Sequence, residues 1–138
     1  MKKKILAAAA ALLLGICPLS VQAAETETMV KSYLTGLDVP ESIGRVRPVA
    51  VMLNNIREGC PQSGIASAGV VYEAPVEGDI TRLMGIFEDY GDLERIGSVR
   101  SCRDYYIFYA NEFDAIYAHY GQSAFALPYF EQHLIDNL

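Results

Sequence analysis

Apolar residues along this chain fall into short blocks, and their spacing changes from block to block. Val49, Val51 and Leu53 lie on one side of an extended segment, with Ala50 and Met52 on the other. That pattern predicts a strand buried on both faces, stopping at Asn54-Asn55. Pro61-Gln62-Ser63-Gly64 is a turn signal leading into a short helical stretch at 65–68. A second strand is predicted from Val70 to Pro75, a hairpin turn at Gly78-Asp79, and a third strand from Ile80 to Phe87. Residues 89–97 form a polar loop. Ser101 is placed as the N-cap of a helix running from Cys102 to about Phe113, whose buried face holds Tyr105, Tyr106, Ile107, Tyr109, Ala110 and Phe113. A fourth strand covers Ala115 to Tyr120. Gly121-Gln122-Ser123 then opens a last helix to Leu138, with Pro128 as a point of break or restart.

The order β, short α, β, β, α, β, α predicts an α/β fold, a mixed sheet of about four strands with flanking helices. Its last helix carries Leu134, Ile135 and Leu138 with no strand after it, which is the pattern of an incomplete, truncated domain.

The chain ahead of Arg47 differs in kind. Lys2, Lys3 and Lys4 precede an apolar run from Ile5 to Ile16, and Val21-Gln22-Ala23 has the form of a cleavage site. Residues 1–23 are therefore expected to be a secretory signal peptide; an apolar core of about 12 residues falls short of the ~20 needed to span a bilayer. Cys17 raises lipidation as the alternative, but Ile16 stands where a lipobox wants a small residue. Residues 24–46, with ETET, Gly36, Pro40 and Gly44, are expected to be a flexible tether with one short helical turn, leaving 47–138 as the folded domain.

The formal charge is −6, and three of the basic residues sit in the expected signal peptide, so the remainder is more acidic still. Such a chain has no bulk charge for nucleic acid or an anionic membrane, although a local group of arginines can still hold an anion. Of the three cysteines, Cys60 and Cys102 follow the signal. An even count in an exported protein predicts a disulfide between them, closing a loop of about 42 residues; two separate thiols are the alternative. No metal-ligand spacing is present, and neither a phosphate-binding nor a dinucleotide-binding glycine run occurs. No metal and no cofactor are expected.

Five pieces carry a resemblance: RPVAVMLNN at 47–55, PQSG at 61–64, VVYEAPVEGDITR at 70–82, IGSVRSCR at 96–103 and DAIYAHYGQS at 114–123. In this order they resemble the bacterial DUF3048 family, the YerB-like proteins. The resemblance implies an exported protein or lipoprotein of the bacterial envelope, commonly longer, with a second, C-terminal domain. It implies no catalytic mechanism. Asn54 stands where the family often has aspartate. Cys60 and Cys102 replace small or variable residues, and their joint appearance favours a bridge between them.

Three constellations can carry chemistry. Arg82, Arg100 and Arg103 lie near a predicted helix start at Ser101, where free N–H groups and guanidinium forks suit a carboxylate or phosphate; pairing with Glu73 or Glu77 is the structural alternative. Glu73 and Glu77, on one side of an extended segment, are candidates for paired acid–base work. His119 ends a strand just before a glycine turn and is a candidate base or ligand contact, or a hydrogen-bonded structural histidine. Ser63, Ser101 and Ser123 sit in no nucleophile elbow, and turn or cap duties account for them. The nine tyrosines fit core and interface packing better than a sugar-stacking surface.

The sequence thus predicts an extracytoplasmic binding or scaffolding domain with a crevice formed by Asn54, Glu77, Arg82, Arg100, Arg103, His119 and Ser123. Its expected partner is an anionic cell-wall fragment or a peptide carboxylate. An envelope hydrolase using Glu73 or Glu77 with His119, and a protein–protein interaction module, are the alternatives.

Overall fold

The computed structural model describes residues 27–138. Its centre is a four-stranded mixed sheet in the order β4-β5-β3-β6. The strands are β3 (Val49–Asn54), β4 (Val70–Val76), β5 (Ile80–Phe87) and β6 (Ile116–Ala118). β3 pairs antiparallel with β5 and parallel with β6. β4 and β5 form the hairpin, in register from Val70↔Ile86 to Val76↔Ile80. The α/β mixed-sheet expectation holds.

Alternation sorts the strand residues between two layers, because successive side chains leave a strand on opposite faces. Ala50, Met52, Met84, Ile86 and Tyr117 face α2 (Asp104–Asn111), whose Tyr106, Ile107 and Ala110 are buried against them. Val51, Leu53 and Phe87 face the other way, under Ile65, Ala68, Tyr90, Leu93, Ile96 and Val99 from the flanking loops. One hydroxyl pins the helix to the sheet. Tyr106 Oη accepts the Ala74 N–H at 2.9 Å and donates to the Arg82 carbonyl at 2.5 Å.

Several expectations are corrected. Within 24–46, expected to be a tether, the chain folds into a hairpin of β1 (Met29–Lys31) and β2 (Asp38–Pro40) followed by α1 (Glu41–Gly44). The Glu88 carboxylate clasps this hairpin, receiving Ser32 Oγ at 2.5 Å, Tyr33 N at 2.8 Å and Leu34 N at 3.2 Å. The one expected helical turn is α1. Ser101 does not cap α2: the N-cap is Arg103, with no side-chain capping bond, and Asp104 supplies the acidic first turn. The long last helix is only α3 (Leu127–Glu131), with Pro128 in its first turn. Beyond it, Ile135 is buried and residues 136–138 run alongside β6, with Tyr117 N donating to Asp136 O and Leu138 N to Tyr117 O. The expected strandless end is thus paired to the sheet.

The disulfide is also corrected. Cys60 and Cys102 are both free, Cys60 exposed and Cys102 buried. They serve different layers. Cys102 packs in the core on the α2 side, while Cys60 Sγ lies 3.4 Å from Ile56 O and 3.5 Å from Gln62 Nε2 at the surface. The expected signal peptide and the lipidation alternative at Cys17 fall outside the described residues. Among those described, no helix is long and apolar enough to cross a membrane.

Candidate functional site

At the carboxyl end of β3 the sheet splits. β6 pairs with β3 only from Val49 to Val51. Beyond that, Ser98–Arg100 takes its place, with Leu53 bridged antiparallel to Val99 and Arg100 N donating to Met52 O at 3.0 Å. The chain then runs beside the segment after β6, with Tyr120 N on Arg100 O at 3.1 Å and Cys102 N on Gly121 O at 2.9 Å. Crevices at such places, where neighbouring strands part at their carboxyl ends, are where open α/β sheets bind ligands.

The split gathers the arginines. Arg82 is the sheet partner of Asn54 and is only 7% exposed. One terminal nitrogen of its guanidinium donates to Ser101 O, while its Nε is buried without a partner. The Arg100 Nε is likewise buried and unpartnered. Burial, and then the nearby charges of Arg103 and Arg100, lower the Arg82 pKa. Buried charges are ordinarily paired, yet among the described residues neither Arg82 nor Arg100 joins an ion pair.

Arg103 is different. It grips Glu77 through a fork, Nε to Oε1 at 2.8 Å and a terminal nitrogen to Oε2 at 2.6 Å. Those bonds raise the Arg103 pKa and pull the Glu77 carboxyl down to about 2. Glu77 lies at the β4–β5 hairpin tip and its side chain is 70% exposed, against 14% for Arg103. The three guanidiniums therefore have one carboxylate between them, held from the solvent side.

Buried side-chain atoms without a partner among the described residues include Arg82 Nε, Arg100 Nε and Ser123 Oγ, while Tyr117 Oη has only the weakly bonding Cys102 thiol beside it. All belong to this end of the molecule. Ser123 N donates to Cys102 O, and Tyr117, whose pKa burial raises, is influenced by both Cys102 and Arg82. Buried polar atoms without partners are rare enough that a concentration of them is informative.

The remaining expected residues are engaged with other partners, although Asn54 lies opposite Arg82 in the sheet and His119 reaches the carbonyl of Gly121 beside Cys102. Asn54 accepts the Ile56 N–H at 3.4 Å, and its side chain lies against the Arg57–Gly59 turn so closely that a Cβ on Gly59 would come within 2.4 Å of it. His119 has both ring nitrogens engaged, Nδ1 with Gly121 O at 2.8 Å and Nε2 with Asn137 Nδ2 at 3.3 Å, and stacks on Phe130. The carbonyl at Nδ1 requires the proton there, which describes a structural histidine. Glu73 and Glu77 are not brought together. Glu73 faces the loop-covered layer, accepting from Thr81 Oγ1 at 2.6 Å and Asn55 Nδ2 at 3.1 Å, while Glu77 turns to Arg103. Ser63 exchanges backbone bonds with Gly97, at 2.6 and 3.1 Å. Sequence reasoning missed Asn55, Gln62 and Thr81, which join separate segments at this edge: Asn55 Nδ2 donates to Thr81 Oγ1 at 2.7 Å and Gln62 Nε2 to Asn54 O at 2.8 Å. Contacts this distant in sequence leave no periodic signal.

A family model described as the N-terminal domain of a protein of unknown function, DUF3048, matches residues 34–138. The chain belongs to the DUF3048 family. A relative in this DUF3048 group, the candidate lipoprotein YerB of Bacillus subtilis (strain 168), is 40% identical over 112 residues, 81% of this chain and 34% of YerB. The crystal structure of YerB from Bacillus subtilis superposes with a TM-score of 0.75, covering 79% of this chain and 37% of that one. The DUF3048 chain described here thus spans about a third of the length of the relatives it matches.

Proposed function

We propose that this domain is an extracytoplasmic binding module of the bacterial cell envelope, and that Arg82 and Arg100 bind the anionic group of its ligand, a carboxylate on a peptide or a cell-wall fragment. The envelope location rests on the kinship with YerB, a candidate lipoprotein, and on the leader of residues 1–23, proposed as a signal peptide. One observation carries the ligand chemistry: two guanidiniums with buried, unpartnered Nε atoms stand beside a third that already holds a carboxylate. Catalysis draws no support from the geometry, because Glu73 and Glu77 answer to different partners and the ring nitrogens of His119 are both occupied.

The test is a thermal melt of the full chain with N-acetyl-alanyl-alanine, which carries a carboxylate and no sugar. A ligand that binds only the native state raises Tm by mass action. A saturable rise, absent with the amidated peptide and abolished in Arg82→Met and Arg100→Ala, supports the reading. No shift at about 10 mM peptide or inorganic phosphate sinks it.

A further inference from the structure

At the opposite end of β3, a cleft of about 430 Å³ opens between the N-terminal hairpin and the end of α2. Tyr33, Phe113, Pro48, Arg45, Arg47 and Asp114 line it. None of its polar residues belongs to the arginine site. We propose that this cleft is a saccharide site that takes a ring of an uncharged glycan.

A sugar ring has an apolar face of C–H groups and a rim of hydroxyls. A site for it needs an aromatic platform with hydrogen-bonding groups already aimed along the edge. The platform is Tyr33. Phe113 holds it edge-to-face, with ring centroids 6.1 Å apart and planes at 80°, while 65% of its surface stays in solvent. An aromatic fixed in place yet open to water suits contact with a half-polar ligand.

The rim is set by Arg47. It donates Nε to Asp114 O at 2.6 Å and a terminal nitrogen to Asp114 Oδ1 at 2.8 Å, and bonds Asp136 at 2.6 Å. Those bonds hold Asp114 at a positive φ of 49°, a backbone region that aspartate enters more readily than most side chains. Asp114 Oδ2 makes no bond among the described residues and remains an acceptor at the cleft edge. Arg45 is exposed, joins no ion pair among the described residues, and supplies donors. Because the Arg47 array is already ordered, a ligand meeting it loses little side-chain entropy.

Charge narrows the class. Arg47 takes both Asp114 and Asp136 and Arg45 has neither, but the four charges cancel in sum, so this end carries no net charge to attract an anion. Its volume lies within the usual range for small-ligand clefts, and its charged edge argues against a purely apolar occupant.

The experiment titrates the full chain with chitotriose and maltotriose, followed by tyrosine fluorescence and by Tm. Saturable binding of one of them is expected, weakened about tenfold in Tyr33→Ala. Arg45→Ala, at an exposed residue without an ion-pair partner, is expected to weaken binding several-fold with an unchanged melt, which separates binding from folding. Saturating N-acetyl-alanyl-alanine should leave the sugar affinity unchanged. No saturable binding at about 20 mM sugar overturns the proposal, as do retained affinity in both variants and displacement by the peptide, which would move the sugar to the arginine site.

Discussion

The two ends of β3 treat arginine in opposite ways. At its start, Arg47 is enclosed by Asp114 and Asp136 and by the Asp114 carbonyl, so every arm of the guanidinium has an acceptor. At its far end, Arg82 and Arg100 have buried Nε atoms with no acceptor and no carboxylate partner. The first arginine ties together three segments distant in sequence and is explained by the fold alone. The second pair, Arg82 buried and Arg100 half-buried, carries charge with one carbonyl bond, from Arg82 to Ser101, and no carboxylate, which stability alone does not explain. Satisfied cations are joinery; on the function proposed above, the unsatisfied ones await something from outside the chain.

The sharpest way to break this comparison is to exchange Arg82 for methionine. If Arg82 serves a ligand, Arg82→Met lowers affinity for N-acetyl-alanyl-alanine about 10–100-fold, as expected on losing a charge-assisted hydrogen bond. Stability should fall by no more than about 2 kcal/mol, because the bond to the Ser101 carbonyl is lost while a buried charge without a carboxylate partner is replaced by an apolar chain of similar length. Calorimetric titration and a urea melt read both quantities. A large loss of stability would make Arg82 structural after all.

Next comes Tyr106→Phe, which leaves the Ala74 N–H and the Arg82 carbonyl without the hydroxyl that joins them. A cost of about 1–3 kcal/mol is expected in urea unfolding, with anion affinity falling because Arg82 is no longer held in place. At the satisfied end, Arg47→Met is expected to lower Tm while leaving peptide affinity unaltered; altered affinity would show that the two ends are coupled.

The smallest effect belongs to Glu77. Glu77→Gln removes the internal carboxylate and should raise peptide affinity about two- to fivefold by freeing Arg103. At so exposed a pair the stability cost is at most about 1 kcal/mol. Acid should mimic the substitution. Because the folded carboxyl titrates near 2, below the ordinary carboxylate range, the pair's contribution is present above about pH 4.5 and fades as pH falls towards 2. A melt series over that range shows the fade in the parent and its absence in Glu77→Gln.

Period-two alternation made the sheet legible. Val70, Tyr72, Ala74 and Val76 turn to the helix while Val71, Glu73 and Pro75 turn away, and the strand bounds followed closely. That Arg82, Arg100 and Arg103 lie near one another follows from their places at a strand and a helix start, although the cap fell two residues later than Ser101 suggested. The pairing of Glu77 specifically with Arg103 was not, because a hairpin tip aims its side chain according to turn geometry. Polar bonds across 54–56 residues of chain hold the β1–β2 hairpin, so a segment with little apolar content looked like a leash. Cys60 and Cys102 misled by number: their count says nothing about one being at the surface and the other in the core.

The Glu88 clasp bears on how far a tether at this end could reach. A free run of 23 residues would let the body wander about 25 Å from its point of attachment. With the hairpin held to Glu88, the first strand among the described residues starts at Met29, and an attachment made ahead of Glu27 would meet a segment already folded against the body. Such an attachment would set which face the domain turns towards its support as well as how far it can travel.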